Sequence, residues 1–90
     1  MKGYQRLHFV QLTEQHRSVG RAHHHLTSGE MQRPHSLVIA HFAGGEGYYL
    51  LYLDDRGEEL TDTLHDSTAD AMKQAEWEFG VQSREWQNTH

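Results

Sequence analysis

Three consecutive histidines stand in the stretch RAHHHLTSGE, residues 21–30, and they are the side chains in this chain best suited to bind a transition metal. If residues 19–27 form a strand, His23 and His25 lie on the same face of it. A His-x-His pair on a strand can bind zinc, nickel or copper through its imidazole nitrogens, but a further ligand must come from a neighbouring strand. The pattern therefore predicts either a metal site at His23 and His25 or an ordinary exposed strand. We expect no other cofactor.

A second candidate for chemistry is the stretch DTLHD, residues 62–66, in which a histidine lies between two aspartates. A histidine held by a carboxylate can act as a general base. On a strand, however, Asp62 and Asp66 face one way and His65 faces the other. We therefore expect no catalytic residue here and no enzyme activity.

The distribution of charge indicates what kind of partner the chain could bind. Residues 1–41 carry five Lys/Arg and two Asp/Glu, whereas residues 42–90 carry three Lys/Arg and eleven Asp/Glu, which together give the net charge of −5. The acidic part has no EF-hand spacing, so it is either a solvated surface or a docking surface for a basic protein. The negative net charge does not favour binding to nucleic acid.

Length and composition predict one small globular domain over residues 1–90. The chain is 36% hydrophobic and 23% charged, and it contains no cysteine. Disulfides and cysteine-based zinc sites are therefore excluded. No apolar stretch is typical of a signal peptide or of a membrane span, so we expect a cytoplasmic protein without a membrane partner.

The elements that must position these residues begin with a C-terminal helix in DSTADAMKQAEWEFGV. Ser67 is a suitable N-cap and Gly80 a suitable C-terminal cap. Helical periodicity places an apolar face against the core, composed of Ala71, Met72, Ala75 and Phe79. Trp77 falls on the opposite side of the helix.

Strand patterns precede the helix. Three stretches predict a three-stranded antiparallel meander: SLVIAHF, GYYLLYL and the residues after DDRG. The DDRG stretch itself predicts a tight turn. Residues 4–12 and about 19–27 are expected to form an N-terminal hairpin. The predicted fold class is α+β, a mainly antiparallel sheet with one C-terminal helix packed on one face.

The strand over residues 47–53 is apolar on both faces, which calls for cover on both faces. One helix covers one face, so the second must be covered by the N-terminal hairpin, by curling of the sheet, or by another chain. Trp is also enriched at binding hot spots. We therefore predict a partner-binding surface, with these candidate residues: Tyr48, Tyr52, Trp77 and Trp86.

Four stretches follow one another along the chain: YYLLYLD, DRGEELTDTLHDS, AMKQAEWEFGV and, at the end, REW. In the order of these stretches, the chain resembles small stand-alone bacterial proteins of uncharacterised function. The similarity covers roughly residues 36–86. It implies a single α+β domain in a bacterial cytoplasm, and it brings no activity and no functional residues.

These features favour a non-enzymatic association domain. It would be either a homodimer or an acidic adaptor, such as an immunity-like inhibitor of a basic protein. The alternative is a histidine-based metal-binding module.

Overall fold

A computed structural model describes residues 3–13, 25–26, 29–30 and 33–88. The elements in chain order are β1 (Tyr4–Gln11), β2 (His25–Leu26), β3 (Gly29–Glu30), β4 (Ser36–Phe42), β5 (Tyr48–Leu53), β6 (Glu59–His65), helix α1 (Thr68–Phe79), a short 3-10 turn (Ser83–Glu85) and β7 (Gln87–Asn88). Within the described residues, five antiparallel strands form one sheet in the order β6-β5-β4-β1-β7, and two further strands, β2 and β3, form a separate ladder. The predicted α+β class and the meander β4-β5-β6 are confirmed.

The predicted N-terminal hairpin is wrong in its pairing. β1 lies beside β4, in a register that runs from Tyr4 opposite Phe42 to Gln11 opposite Ser36, and its other neighbour is β7. The physical reason lies in β4, whose first five residues are all buried, so that the backbone groups on both of its edges must be paired, and β1 and β5 pair them. The second strand of the predicted hairpin covers residues 19–27. Within it, residues 25–26 form β2 and pair with β3, residues 29–30, while residues 19–24 and 27 lie outside the described residues.

Local signals place the turn and the helix where the sequence predicts them. In the β5–β6 turn, Asp54 Oδ1 accepts hydrogen bonds from the backbone N–H groups of Arg56 and Glu58, each at 2.9 Å. α1 begins where Ser67 Oγ accepts the backbone N–H of Asp70 at 3.1 Å. It ends at Gly80, whose φ of 73° is left-handed. No helix in the described ranges is long and apolar enough to span a membrane.

The sheet has a helix-covered face and a helix-free face, and each carries an apolar cluster. On the helix-covered face, α1 packs its small and aromatic residues over the middle strands; the buried residues of this cluster are Val10, Leu12, Leu37, Ile39, Leu50, Tyr52, Ala71, Ala75, Phe79 and Val81. On the helix-free face, the buried residues are Val38, Ala40, Leu51 and Leu53.

Of the three covers considered for the second face, another chain is not needed at the middle of the sheet. Leu51 and Leu53, on the helix-free face of β5, are only 1% and 4% exposed within this chain alone. Tyr4, Phe9 and Tyr49 are among the side chains that pack against them. The exposed apolar surface must therefore be sought away from the middle strands.

Candidate interaction surface

A buried polar network lies between α1 and the sheet, and it excludes one predicted partner-binding residue from the surface. The Tyr52 hydroxyl donates a hydrogen bond to the Glu78 carboxylate, which also accepts one from Gln74 Nε2 at 2.6 Å. Burial, followed by the hydrogen bond to Glu78, raises the pKa of Tyr52 far above its ordinary value. Tyr52 is 0% exposed, so it anchors the helix and cannot contact a partner.

The network continues towards the end of β6 but does not form a catalytic pair. Thr63 Oγ1 lies 2.7 Å from His65 Nε2. Burial lowers the pKa of His65, although the negative charges of Asp70, Glu78 and Asp66 act in the opposite direction. Asp62 lies opposite Leu51 on the helix-free face, so no carboxylate from Asp62 reaches the His65 ring.

Two other predicted partner-binding residues contribute mainly to the core. Tyr48 is half-buried, packs against the helix-covered cluster and contacts the ring of His41 at a centroid distance of 5.0 Å. Trp86 is also half-buried against this cluster, and its buried Nε1 has no hydrogen-bond partner among the described residues. Neither forms an open apolar surface.

The histidine pair cannot be assembled into a metal site from the described residues. His23 lies outside them, and only the backbone of His25 is described, where it pairs with Glu30. Among the residues that the structure describes, no group of three or more His, Cys, Asp or Glu side chains could hold a metal ion. Metal binding at His23 and His25 stays a prediction.

The exposed large hydrophobic side chains of the described chain are Leu64, at 59%, and Trp77, at 40%. Leu64 lies on β6 opposite Tyr49, and therefore on the helix-free face. Trp77 lies on α1, away from its buried residues, as the periodicity predicts. The two side chains thus come from different layers of the fold.

Both residues nevertheless lie at the same border of the sheet. One flank of α1 faces β6, because the charge of Asp70 acts on His65 and because Gln74 hydrogen-bonds to Glu78, the partner of Tyr52. Helical geometry places Trp77 on that flank, beside Gln74 at i−3 and Lys73 at i−4, and two turns beyond Asp70. We call the strand β6, together with Leu64, Trp77 and the carboxylates around them, the β6 border.

An aromatic corner extends from Leu64 across the helix-free face. Its rings meet edge to face, with centroid distances of 6.2 Å between Tyr4 and Phe42 and 5.4 Å between Phe42 and Tyr49. All three rings are half-buried. Gly47, in the β4–β5 turn, lies so close to the border that a Cβ there would be 2.9 Å from Leu64 Cδ1.

The β6 border is acidic. Residues 56–77, from the turn before β6 to Trp77, contain six Asp/Glu and two Lys/Arg, the latter being Arg56 and Lys73. On the helix-free face, Glu59 and Asp62 are joined by a hydrogen bond, which together with partial burial and the charge of Asp62 raises the pKa of Glu59 to about 7. A cation that approaches such a carboxyl pair favours its charged form.

A shallow cavity of about 280 Å³ lies on the other flank of α1 and is lined by Ala69, Met72, Lys73, Glu76, Val81 and Ser83. It provides a comparison surface that shares the helix but not the β6 border.

Helical periodicity predicts an outward-facing Trp77, whereas Leu64 is absent from the residues predicted to bind a partner. Alternation along β6 places Leu64 on the same face as Asp62, which makes an apolar residue at that position unusual. That alternation was the available signal. Comparison of the chain with models of protein families, with characterised proteins and with solved structures finds no match.

Proposed function

We propose that this protein is a non-enzymatic association domain that binds a basic protein through the β6 border. The observation that carries the proposal is the position of Leu64 and Trp77, which are exposed on either side of the same acidic strand. Apolar anchors surrounded by charge are typical of binding surfaces. An acidic surround also accelerates and selects encounter with a basic partner.

The charge favours a basic partner over a homodimer. Two copies that met through the β6 border would bring the same excess of negative charge together, because residues 56–77 carry six Asp/Glu and only two Lys/Arg. A basic partner reverses the sign of that interaction. The resemblance described above supports a bacterial, cytoplasmic setting, in which the domain would serve as an adaptor or as an immunity-like inhibitor.

Position-specific photo-crosslinking in the source cells tests this proposal. A benzophenone amino acid replaces Leu64 in one variant and Gln87 in the control. Gln87 is exposed on β7, at the opposite border of the sheet. We expect a Lys/Arg-rich protein to crosslink at position 64 and not at position 87, and its binding in purified form to weaken as salt is added.

Three results would contradict the proposal. Equal crosslinking at both positions would mean that the contact is not specific to the β6 border. Crosslinking at position 64 to a second copy alone would make the protein a homodimer. Absence of any crosslinked protein at position 64 would remove the association function.

A further inference from the structure

The two borders of the main sheet differ in how their edges are covered. At one border, β7 pairs with β1 at His8 and Phe9. At the other, β6 is seven residues long and has a single neighbour, β5, among the described residues. An edge strand presents a row of unpaired backbone N–H and C=O groups, which can pair with another extended chain.

Side chains are available on both faces to receive such a chain. Successive residues of an added strand point to opposite faces of the sheet, about 4.8 Å from β6. On the helix-free face, one set of side chains would meet Leu64 and extend towards the aromatic corner. On the helix-covered face, the other set would lie beneath the flank of α1 that carries Trp77.

The charge of β6 decides which chain fits. Two antiparallel copies of β6 overlap along the whole strand, residues 59–65, when the pair is centred on Asp62. That register places two Asp62 carboxylates opposite each other, and like charges in that position are destabilising. Moving the centre by one residue, to Thr63, places each Asp62 opposite Leu64 of the other copy. Lysine or arginine opposite Asp62 and Glu59 avoids both conflicts.

We infer that β6 receives an extended Lys/Arg-containing segment of the partner as a sixth strand of the main sheet. This inference rests on the proposed function, and it specifies how the basic partner is held. Backbone hydrogen bonds along β6 supply affinity, while Leu64, Trp77 and the carboxylates select alternating apolar and basic side chains.

Two synthetic peptides test the inference by calorimetric titration of the full chain. The first is a seven-residue peptide of alternating lysine and valine. The second has the same side chains and charge but carries a methyl group on every internal backbone nitrogen, so it cannot donate hydrogen bonds to β6. We expect the first peptide to bind and the methylated one to bind at least about tenfold more weakly.

Variants of the protein locate the binding site. Leu64→Ser and Trp77→Ala should each weaken binding of the first peptide, whereas Gln87→Ala, on the opposite border, should leave it unchanged. Equal binding of the two peptides would overturn strand addition, because charge alone would then account for the affinity. Failure of both peptides to bind would also overturn it.

The failure of this inference differs from the failure of the proposed function. One outcome is that a basic protein crosslinks specifically at position 64 while the two peptides bind equally or do not bind. In that case the partner docks through side-chain contacts alone and adds no strand to β6. If no basic protein crosslinks at position 64, the proposed function itself is wrong.

Discussion

The middle of the sheet and the β6 border use apolar residues in different ways. In the middle, Leu50 and Leu51 point to opposite faces of β5 and are at most 1% exposed. At the border, Leu64 and Trp77 come from different layers and are 59% and 40% exposed. The same residue types therefore stabilise the fold in one region and remain accessible in the other.

Because the middle of the sheet and the β6 border differ in this way, apolar content alone does not show where a partner binds. The two-sided apolar pattern of β5 indicated an uncovered face, yet β5 occupies an interior position in the sheet and is covered by its own chain. Among the described residues, β6 is the long strand at an edge of the sheet, and it carries fewer apolar residues. Strand order, which decides this, is a property of the whole fold.

The largest effect that separates the two regions should come from matched leucine truncations. Leu51→Ala is expected to lower the free energy of unfolding by about 2–5 kcal/mol, because it leaves a cavity in a packed core. Leu64→Ala is expected to change it by less than about 0.5 kcal/mol, as surface substitutions usually do. Urea unfolding measures both, and equal losses would show that Leu64 belongs to the core.

The next effect concerns the buried network that holds α1 on the sheet. Tyr52→Phe removes a donor from the buried Glu78 carboxylate, and we expect it to cost about 1–3 kcal/mol in unfolding free energy. Tyr49→Phe, which removes a hydroxyl from a half-buried ring on the other face, serves as the matched control and should cost less. A Tyr52→Phe variant as stable as the control would mean that the network contributes nothing.

A smaller effect links the β4–β5 turn to the β6 border. Gly44 and Gly47 both have positive φ, at 75° and 83°, but only Gly47 lies close to Leu64. Replacement of either by alanine should cost about 1–2 kcal/mol from backbone strain. Gly47→Ala should cost more than Gly44→Ala, and it alone should shift the Leu64 methyl resonances in NMR spectra. Identical behaviour of the two variants would contradict the close contact.

The smallest effect is the pH dependence that arises from Glu59. Its folded-state pKa of about 7 lies above the ordinary value of 4.5, so the folded state holds a proton that the unfolded state has lost. The stability that this provides is complete below about pH 4.5 and is lost as the pH rises through 7.

Glu59→Gln should therefore unfold with less pH dependence between pH 5 and pH 8 than the wild type, and it should be the more stable of the two at pH 8. Glu58→Gln, a matched charge change at an exposed neighbour, should keep the wild-type slope. The account of the carboxyl pair fails if Glu59→Gln and the wild type show the same slope.

Features governed by neighbouring residues could be predicted from the sequence. The cap at Ser67, the left-handed Gly80 and the turn at DDRG depend on side chains within a few positions, and the structure places all three as expected. Helical periodicity also placed Trp77 away from the core.

Features governed by long-range pairing could not be predicted in the same way. The partner of β1 is separated from it by more than twenty residues, and nothing local distinguishes β4 from the segment 19–27 as its neighbour. The burial of Tyr52 depends on Glu78, an acidic residue that periodicity alone does not assign to the core. The exposure of Leu64 depends on β6 lying at the edge of the sheet.

Chemical-shift mapping by NMR tests the central claim most directly. The full chain, labelled with ¹⁵N and with ¹³C methyl groups, is titrated with the alternating lysine–valine peptide. We predict that shifts concentrate on the amides of β6, the Leu64 methyls and the Trp77 indole, and that β6 amides exchange more slowly with solvent in the complex. Shifts centred on β7 or on the cavity lined by Met72 and Val81, or no shifts at the β6 border, would contradict the account.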